Sequence, residues 1–204
     1  MKHYSLFLLV ASVTVLSPGP GVVMSLTNAL RYGLRGTFGG ILGIAVGALM
    51  VAAISATSLG VLLATSALAF TVLKLVGATY LLYLGVRLWR APPFRFADQP
   101  CPHAATFGKR FLEGLSLQLT NPKAIFFFLS VFPQFIDPEA NYSIQFAALV
   151  LTYSGLVLVI HCTYALFAKR AKHWLTSERG GGAVNRAASA TFVVFGAMLA
   201  MAHR

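Results

Sequence analysis

Leu16-Ser17-Pro18-Gly19-Pro20-Gly21 interrupts the first long apolar segment of the chain, and Thr120-Asn121-Pro122-Lys123 interrupts the fourth. Helix-breaking residues at bilayer depth are tolerated only where the freed backbone lines a cavity or is buried in protein. A matched pair of broken segments, one per half of the chain, points to the binding site of a carrier built as an inverted repeat. Prolines that merely kink ordinary spans are the plainer reading, and the matching of the two sites argues against it.

The flanking sequence is that of an integral membrane protein. Of 204 residues, 57% are hydrophobic and 10% charged, and mean hydropathy is +0.76, which excludes an ordinary water-soluble domain. Residues 4–30 carry no charge, and 36–86 carry only Lys74. The run from Gly114 to Ile136 holds Lys123 alone, and 140–168 and 187–202 contain no Asp, Glu, Lys or Arg. A spanning helix needs about 20 apolar residues. Six spans are predicted, near 4–27, 38–61, 69–89, 111–133, 145–168 and 186–202, with a tight turn at Thr65-Ser66. Lys2 and the apolar stretch from Leu6 to Val15 would suit a signal peptide. Apolar sequence resumes at Val22, however, and cleavage would leave an odd number of spans, so the segment is expected to be retained.

The expected fold is therefore all-α and integral to the membrane: six transmembrane helices in a 3+3 inverted repeat, with the first and fourth helices broken. One domain, 1–204, divides into a first half-repeat 1–90, a linker 91–110 and a second half-repeat 111–204. Three spans per half force the halves into opposite orientations. Aligning Pro18 with Pro122 sets Ser17 opposite Asn121. Both are good helix N-caps, and proline suits the next position. Each pair reads as the start of a half-helix near the midplane. Two such N-termini offer free N–H groups and partial positive charge to a carboxylate. The candidate substrate-binding residues are Ser17, Pro18, Gly19, Gly21, Tyr80, Thr120, Asn121, Pro122 and Lys123. The hydroxyls of Ser17, Tyr80 and Thr120, with helix C-terminal carbonyls, are candidates for an ammonium group.

The net charge of +11 is topological. Arg31 and Arg35 flank the first connection on one face. Arg87, Arg90, Arg95, Lys109 and Arg110 surround the second, and Lys169, Arg170, Lys172, Arg179 and Arg186 the third. The terminal face has only Lys2 and Arg204, with Asp137 and Glu139 in its 134–144 loop. This bias puts the basic loops in the cytoplasm and both termini outside. Anionic lipid headgroups, not nucleic acid, are the partners it implies. Homo-oligomerisation stays open.

Ionisable groups at membrane depth are functional candidates by default. Lys123 sits at the second break. His161, in the fifth span, reads as a hydrogen-bonded packing residue or a proton relay, and His161 and Lys123 are the proton-coupling candidates. Lys74 can snorkel to the interface, and Glu113 stands at the membrane edge. No Asp or Glu lies inside any predicted span. A carrier of basic solutes needs a buried counter-charge, because an unpaired cation in low dielectric is expensive. The pattern suits a carboxylate-bearing solute without a cationic side chain. Gly36, Gly39, Gly40, Gly43 and Gly47 form small-xxx-small series for close helix packing, and Gly77 and Gly85 read likewise. Cys101 and Cys162 have no metal-ligand or thiol-pair spacing, so no metal site and no cofactor are expected.

Ser17-Pro18-Gly19-Pro20-Gly21, Gly77-Ala78-Thr79-Tyr80-Leu81-Leu82-Tyr83-Leu84-Gly85, Thr120-Asn121-Pro122-Lys123-Ala124 and Phe132-Pro133-Gln134-Phe135-Ile136-Asp137-Pro138 resemble the LysE/RhtB family of amino-acid exporters in order and spacing. The resemblance implies a bacterial inner-membrane efflux carrier, not an enzyme, driven by the proton gradient. It is similar to the homoserine/threonine-exporting branch. In the resemblance, the basic-substrate branch carries aspartates at the positions matching Gly47 and Phe127. Export of small neutral amino acids is the expectation. An exporter of another small solute or of a metal ion, and a passive channel of the same fold, are the alternatives. A thiol relay needs paired cysteines, a membrane enzyme a nucleophile–base constellation, and a metal exporter buried ligands. None is visible in the sequence.

Overall fold

A computed structural model describes residues 4–17, 19–65, 67–92, 106–137 and 140–201. Every regular element among them is helical. Helices α1 (Tyr4–Leu16), α2 (Pro20–Thr65) and α3 (Ala67–Trp89) make the first half. Helices α4 (Phe107–Leu119) and α5 (Pro122–Phe126) follow. Helix α5 runs on through a π-helical turn at Phe127–Val131 and a 3₁₀ turn at Phe132–Phe135. Helices α6 (Tyr142–Leu166), α7 (Ala168–Thr176) and α8 (Glu178–Met201) complete the chain. Pro20–Ala56 and Tyr142–Leu166 are each long and apolar enough to cross a bilayer, and Tyr4–Leu16 and Leu75–Trp89 are shorter apolar helices.

Both breaks exist, but the first is built differently from the expectation. Helix α1 ends with the Ser17 N–H donating to the Val13 carbonyl, and α2 begins with the Val23 N–H donating to the Gly19 carbonyl. The cap-and-proline pair is thus Gly19-Pro20, not Ser17-Pro18. The Ser17 hydroxyl instead donates backwards to the Thr14 carbonyl at 2.9 Å. Of two successive X-Pro pairs, the chain restarts at the one whose cap is a glycine, a residue tolerated at the N-cap. Pro18 and Ser66 lie outside the described residues, as does most of the 91–110 linker.

The connection expected over 28–37 contracts to one residue. Helix continues on both sides of Gly33, whose φ of 66° and ψ of −178° redirect the chain. A side chain there would be strained, because this backbone region is open chiefly to glycine. Helix α8 starts well before the expected 186. Its Gly180-Gly181-Gly182 run forms helix because Ser177 caps it, accepting from the Gly180 N–H at 3.0 Å. Arg110, expected at the cytoplasmic edge, is buried. Its guanidinium donates to the Gly36 carbonyl and covers the Tyr32 ring, 3.8 Å from the centroid.

Lipid gives helices little hydrophobic reason to associate, so close packing and hydrogen bonds hold them. The glycines of α2 meet α4 backbone to backbone. A Cβ on Gly43 would collide with the Phe111 carbonyl, and one on Gly114 with the Gly40 carbonyl. Helices α3 and α8 meet where the Ser189 hydroxyl donates to the Gly85 carbonyl at 2.6 Å. At the end of the bundle near the N-terminus of α1, aromatic rings fill the core. Phe7 packs edge-on against Phe135, centroids 5.2 Å apart, and Phe127 and Phe128 each lie 4.9 Å from Tyr153.

Candidate functional site

The α1–α2 break leaves the last carbonyls of α1 without intrahelical partners, and an unsatisfied carbonyl at bilayer depth is costly. Two residues of the second half supply the donors. Lys123 Nζ donates to the Thr14 carbonyl at 2.8 Å, the Ser17 carbonyl at 3.1 Å and the Ser17 hydroxyl at 2.9 Å. The Tyr164 hydroxyl donates to the Leu16 carbonyl at 2.9 Å. A cation at a helix C-terminus also meets the negative end of the helix dipole. All three ammonium hydrogens are therefore engaged by the end of α1.

The second break has the expected geometry. Asn121 is the N-cap of α5, its side chain accepting from the Lys123 N–H at 3.1 Å, with Pro122 next. Asn121 is 7% exposed. Its own N–H donates to the Gln118 carbonyl.

Both breaks open onto one cavity of about 480 Å³. It brings together Ser17, Gly19, Tyr80, Asn121, Pro122 and Lys123 from the sequence candidates. It also brings in residues the sequence did not single out: Pro20, Leu84, Arg87, Leu88, Ala91, Pro92, Asn185 and Phe192. Tyr80 forms part of the wall by stacking on Phe126, centroids 4.0 Å apart and planes 23° from parallel. The cavity follows one face of α3 from Tyr80 to its end. There the Asn185 side-chain amide donates to the Ala91 and Pro92 carbonyls at 3.2 and 3.4 Å. Arg87 could have been suspected from the spacing Tyr80, Leu84, Arg87, Leu88, which places all four on one helical face. Asn185 carried no local signal.

The remaining candidates fall elsewhere. Gly21 and His161 line a separate small pocket of about 20 Å³, together with Gln118, Tyr153 and, from the first cavity, Gly19, Asn121 and Lys123. His161 is 4% exposed, and its Nδ1 shares a 2.8 Å hydrogen bond with the Ser25 hydroxyl. Thr120 lines neither space, because its hydroxyl bonds the Ser116 carbonyl of its own helix at 2.9 Å. Neither position matched to an aspartate of the basic-substrate branch faces the cavity. A Cβ on Gly47 would lie 2.7 Å from Gln118 Cβ, and Phe127 is buried among aromatic rings.

Among the described residues, apolar helices surround one cavity onto which both breaks open and which no acid lines, an architecture that fits a membrane transport protein. The family model for LysE type translocators matches residues 12–203. The chain belongs to the LysE type translocator family, whose members move solutes and are not enzymes. It is 33% identical over 196 residues to a homoserine/homoserine lactone efflux protein of Salmonella typhimurium, covering 96% of this chain and 95% of the relative. It is 34% identical over 198 residues to an uncharacterized membrane protein of Vibrio cholerae, covering 96% and 95%. It is 33% identical over 141 residues to a leucine efflux protein of Salmonella choleraesuis, covering 69% and 66%. No solved structure matches the chain significantly.

Proposed function

We propose that the protein exports small neutral amino acids, homoserine and threonine first, from the cytoplasm of a bacterium across its inner membrane, coupled to the proton gradient. The observation that carries this is the cavity. Both helix starts, Gly19-Pro20 and Asn121-Pro122, line it, and among the described residues its charged groups are Lys123 and Arg87, with no Asp or Glu. Such a space accepts a carboxylate and offers nothing to balance a cationic side chain. The names of the efflux relatives point the same way. Leucine is the second reading, favoured by the apolar wall of Leu84, Leu88 and Phe192.

The carboxylate is assigned to the two helix starts beside Lys123, with Ser17 and Tyr80 nearest the ammonium. The arrangement we infer is a 3+3 inverted repeat with the basic loops cytoplasmic and both termini periplasmic. Helix α1, at 13 residues, reaches only about 20 Å and crosses only together with the start of α2. The contacts of α2 with α6 and of α3 with α8 pair equivalent spans of the two halves, which supports the repeat. With the aromatic core on the terminal side, the cavity runs along α3 to Ala91-Pro92, the end this orientation assigns to the cytoplasm. His161 and Lys123, sharing one pocket, are the proposed coupling pair.

Growth of an over-expressing host across inhibitory amino acids tests the reading. Resistance to homoserine and threonine, abolished by an uncoupler, is expected. Equal resistance to lysine analogues overturns the substrate class, and uncoupler-insensitive downhill flux alone makes the protein a channel.

A further inference from the structure

We infer that the cavity holds a second, outer carboxylate position at Arg87, which the substrate meets before it reaches Lys123; this rests on the exporter reading above. In the state described, Lys123 has no hydrogen free for a newcomer, since Thr14 and Ser17 take all three. An arriving carboxylate can bind there only by exchanging with those bonds. Arg87 is differently placed. It lines the same cavity, is exposed, and has no hydrogen bond or ion pair among the described residues.

Seven residues separate Arg87 from Tyr80, which is about 10 Å along α3. Tyr80 stacks on Phe126, at the far end of the short helix that Asn121 and Pro122 start. Arg87 therefore stands about two turns nearer the Ala91-Pro92 end of the cavity than Tyr80 does. A carboxylate entering past Ala91 and Pro92 meets Arg87 before it reaches Tyr80 and Lys123, so the two cations define successive positions. The guanidinium fork matches a carboxylate in two parallel hydrogen bonds, and its charge draws anionic groups into a low-dielectric mouth. Asn185 holds the chain just past α3, since its amide donates to the Ala91 and Pro92 carbonyls. The outer position thus selects for a free carboxylate, and the inner one commits the solute to transport.

Everted membrane vesicles expose the cytoplasmic side, and labelled homoserine uptake can be competed there with threonine or with threonine amide, which lacks only the carboxylate charge. The wild type should prefer threonine by about a hundredfold, Arg87→Gln should lower that preference by about tenfold and leave the part supplied at Lys123, and Arg87→Lys should restore part of the loss. Arg90→Gln, which removes a neighbouring charge outside the cavity lining, should behave as the wild type. A preference unchanged in Arg87→Gln, or lost equally in Arg90→Gln, overturns the assignment while leaving the exporter intact. So does a wild type that prefers neither ligand. Wild-type vesicles that move neither homoserine nor threonine overturn the exporter reading and this inference with it.

Discussion

The Lys123 ammonium lies 2.8 Å from the Thr14 carbonyl oxygen, across 109 residues of sequence. The contact answers a need created by the break itself. Ending α1 inside the membrane strands its last carbonyls, and an unsatisfied polar group there costs several kcal/mol. A cation from the other broken helix satisfies them, so the two breaks are locked to each other. A substrate carboxylate that takes Lys123 must release the end of α1. Binding and helix movement are thereby linked through one side chain.

Lys123→Ala should abolish that link. Losing one charge-assisted hydrogen bond to a desolvated carboxylate is expected to lower substrate affinity by about 10- to 150-fold. The protein should also melt earlier, because Thr14 and Ser17 lose their donor. Lys172→Ala, at a half-buried position of α7 outside the cavity lining, is the control for transport. Uptake at matched membrane expression decides the matter, and wild-type transport by a well-folded Lys123→Ala protein would remove the lysine from the site.

Asn121→Ala should weaken the protein by about 1 kcal/mol through loss of the α5 cap, with a smaller effect on affinity than Lys123→Ala. Thermal unfolding in detergent, followed beside transport, separates the two quantities. A larger transport defect than that of Lys123→Ala would make the asparagine a direct ligand.

What the sequence could reveal of this structure follows from the range of each signal. The second break was legible because Asn121-Pro122 is a local cap. The first was placed two residues early, because Ser17-Pro18 and Gly19-Pro20 offer two starts and only tertiary contacts choose between them. Lys123 stood out as a charge in an apolar run, yet its partners Thr14 and Ser17 come from the other half and could not be read locally. Gly33 gave no sign that one residue would replace a loop. Buried Arg110 looked like any interfacial arginine until α4 was set against Tyr32 and Gly36.

The glycine seam between α2 and α4 should tolerate no side chain. Gly43→Val or Gly114→Val would press a branched side chain into a backbone carbonyl, and overpacking of this kind costs about 1–3 kcal/mol or more. Gly155→Ala, where an added Cβ meets nothing within 4 Å, should be neutral or slightly stabilising. Yield of monodisperse protein and melting temperature report both. A Gly43→Val protein as stable as the wild type would mean that the two helices do not meet as described.

Reporter fusions test the proposed orientation. A fusion at residue 100 should report from the cytoplasm and one at the C-terminus from the periplasm, as the arginines and lysines around the connections require. A cytoplasmic signal at the C-terminus would overturn both the six-span count and the inverted repeat.

His161 decides whether coupling runs through the small pocket. The ring shares a hydrogen bond with Ser25 on one side and a pocket with Lys123 on the other. A proton arriving on His161 would place two cations in one low-dielectric space, where their repulsion is strong. That repulsion favours moving Lys123 away from Thr14 and Ser17, which is the motion substrate release needs. His161→Asn preserves a hydrogen-bonding group near Ser25 but cannot carry the proton. It should retain downhill exchange of homoserine and lose uphill export driven by a pH gradient. Counterflow and gradient-driven transport, measured in the same proteoliposomes, separate these activities. If His161→Asn concentrates homoserine as the wild type does, the histidine is a packing residue and coupling must be sought at Lys123 alone.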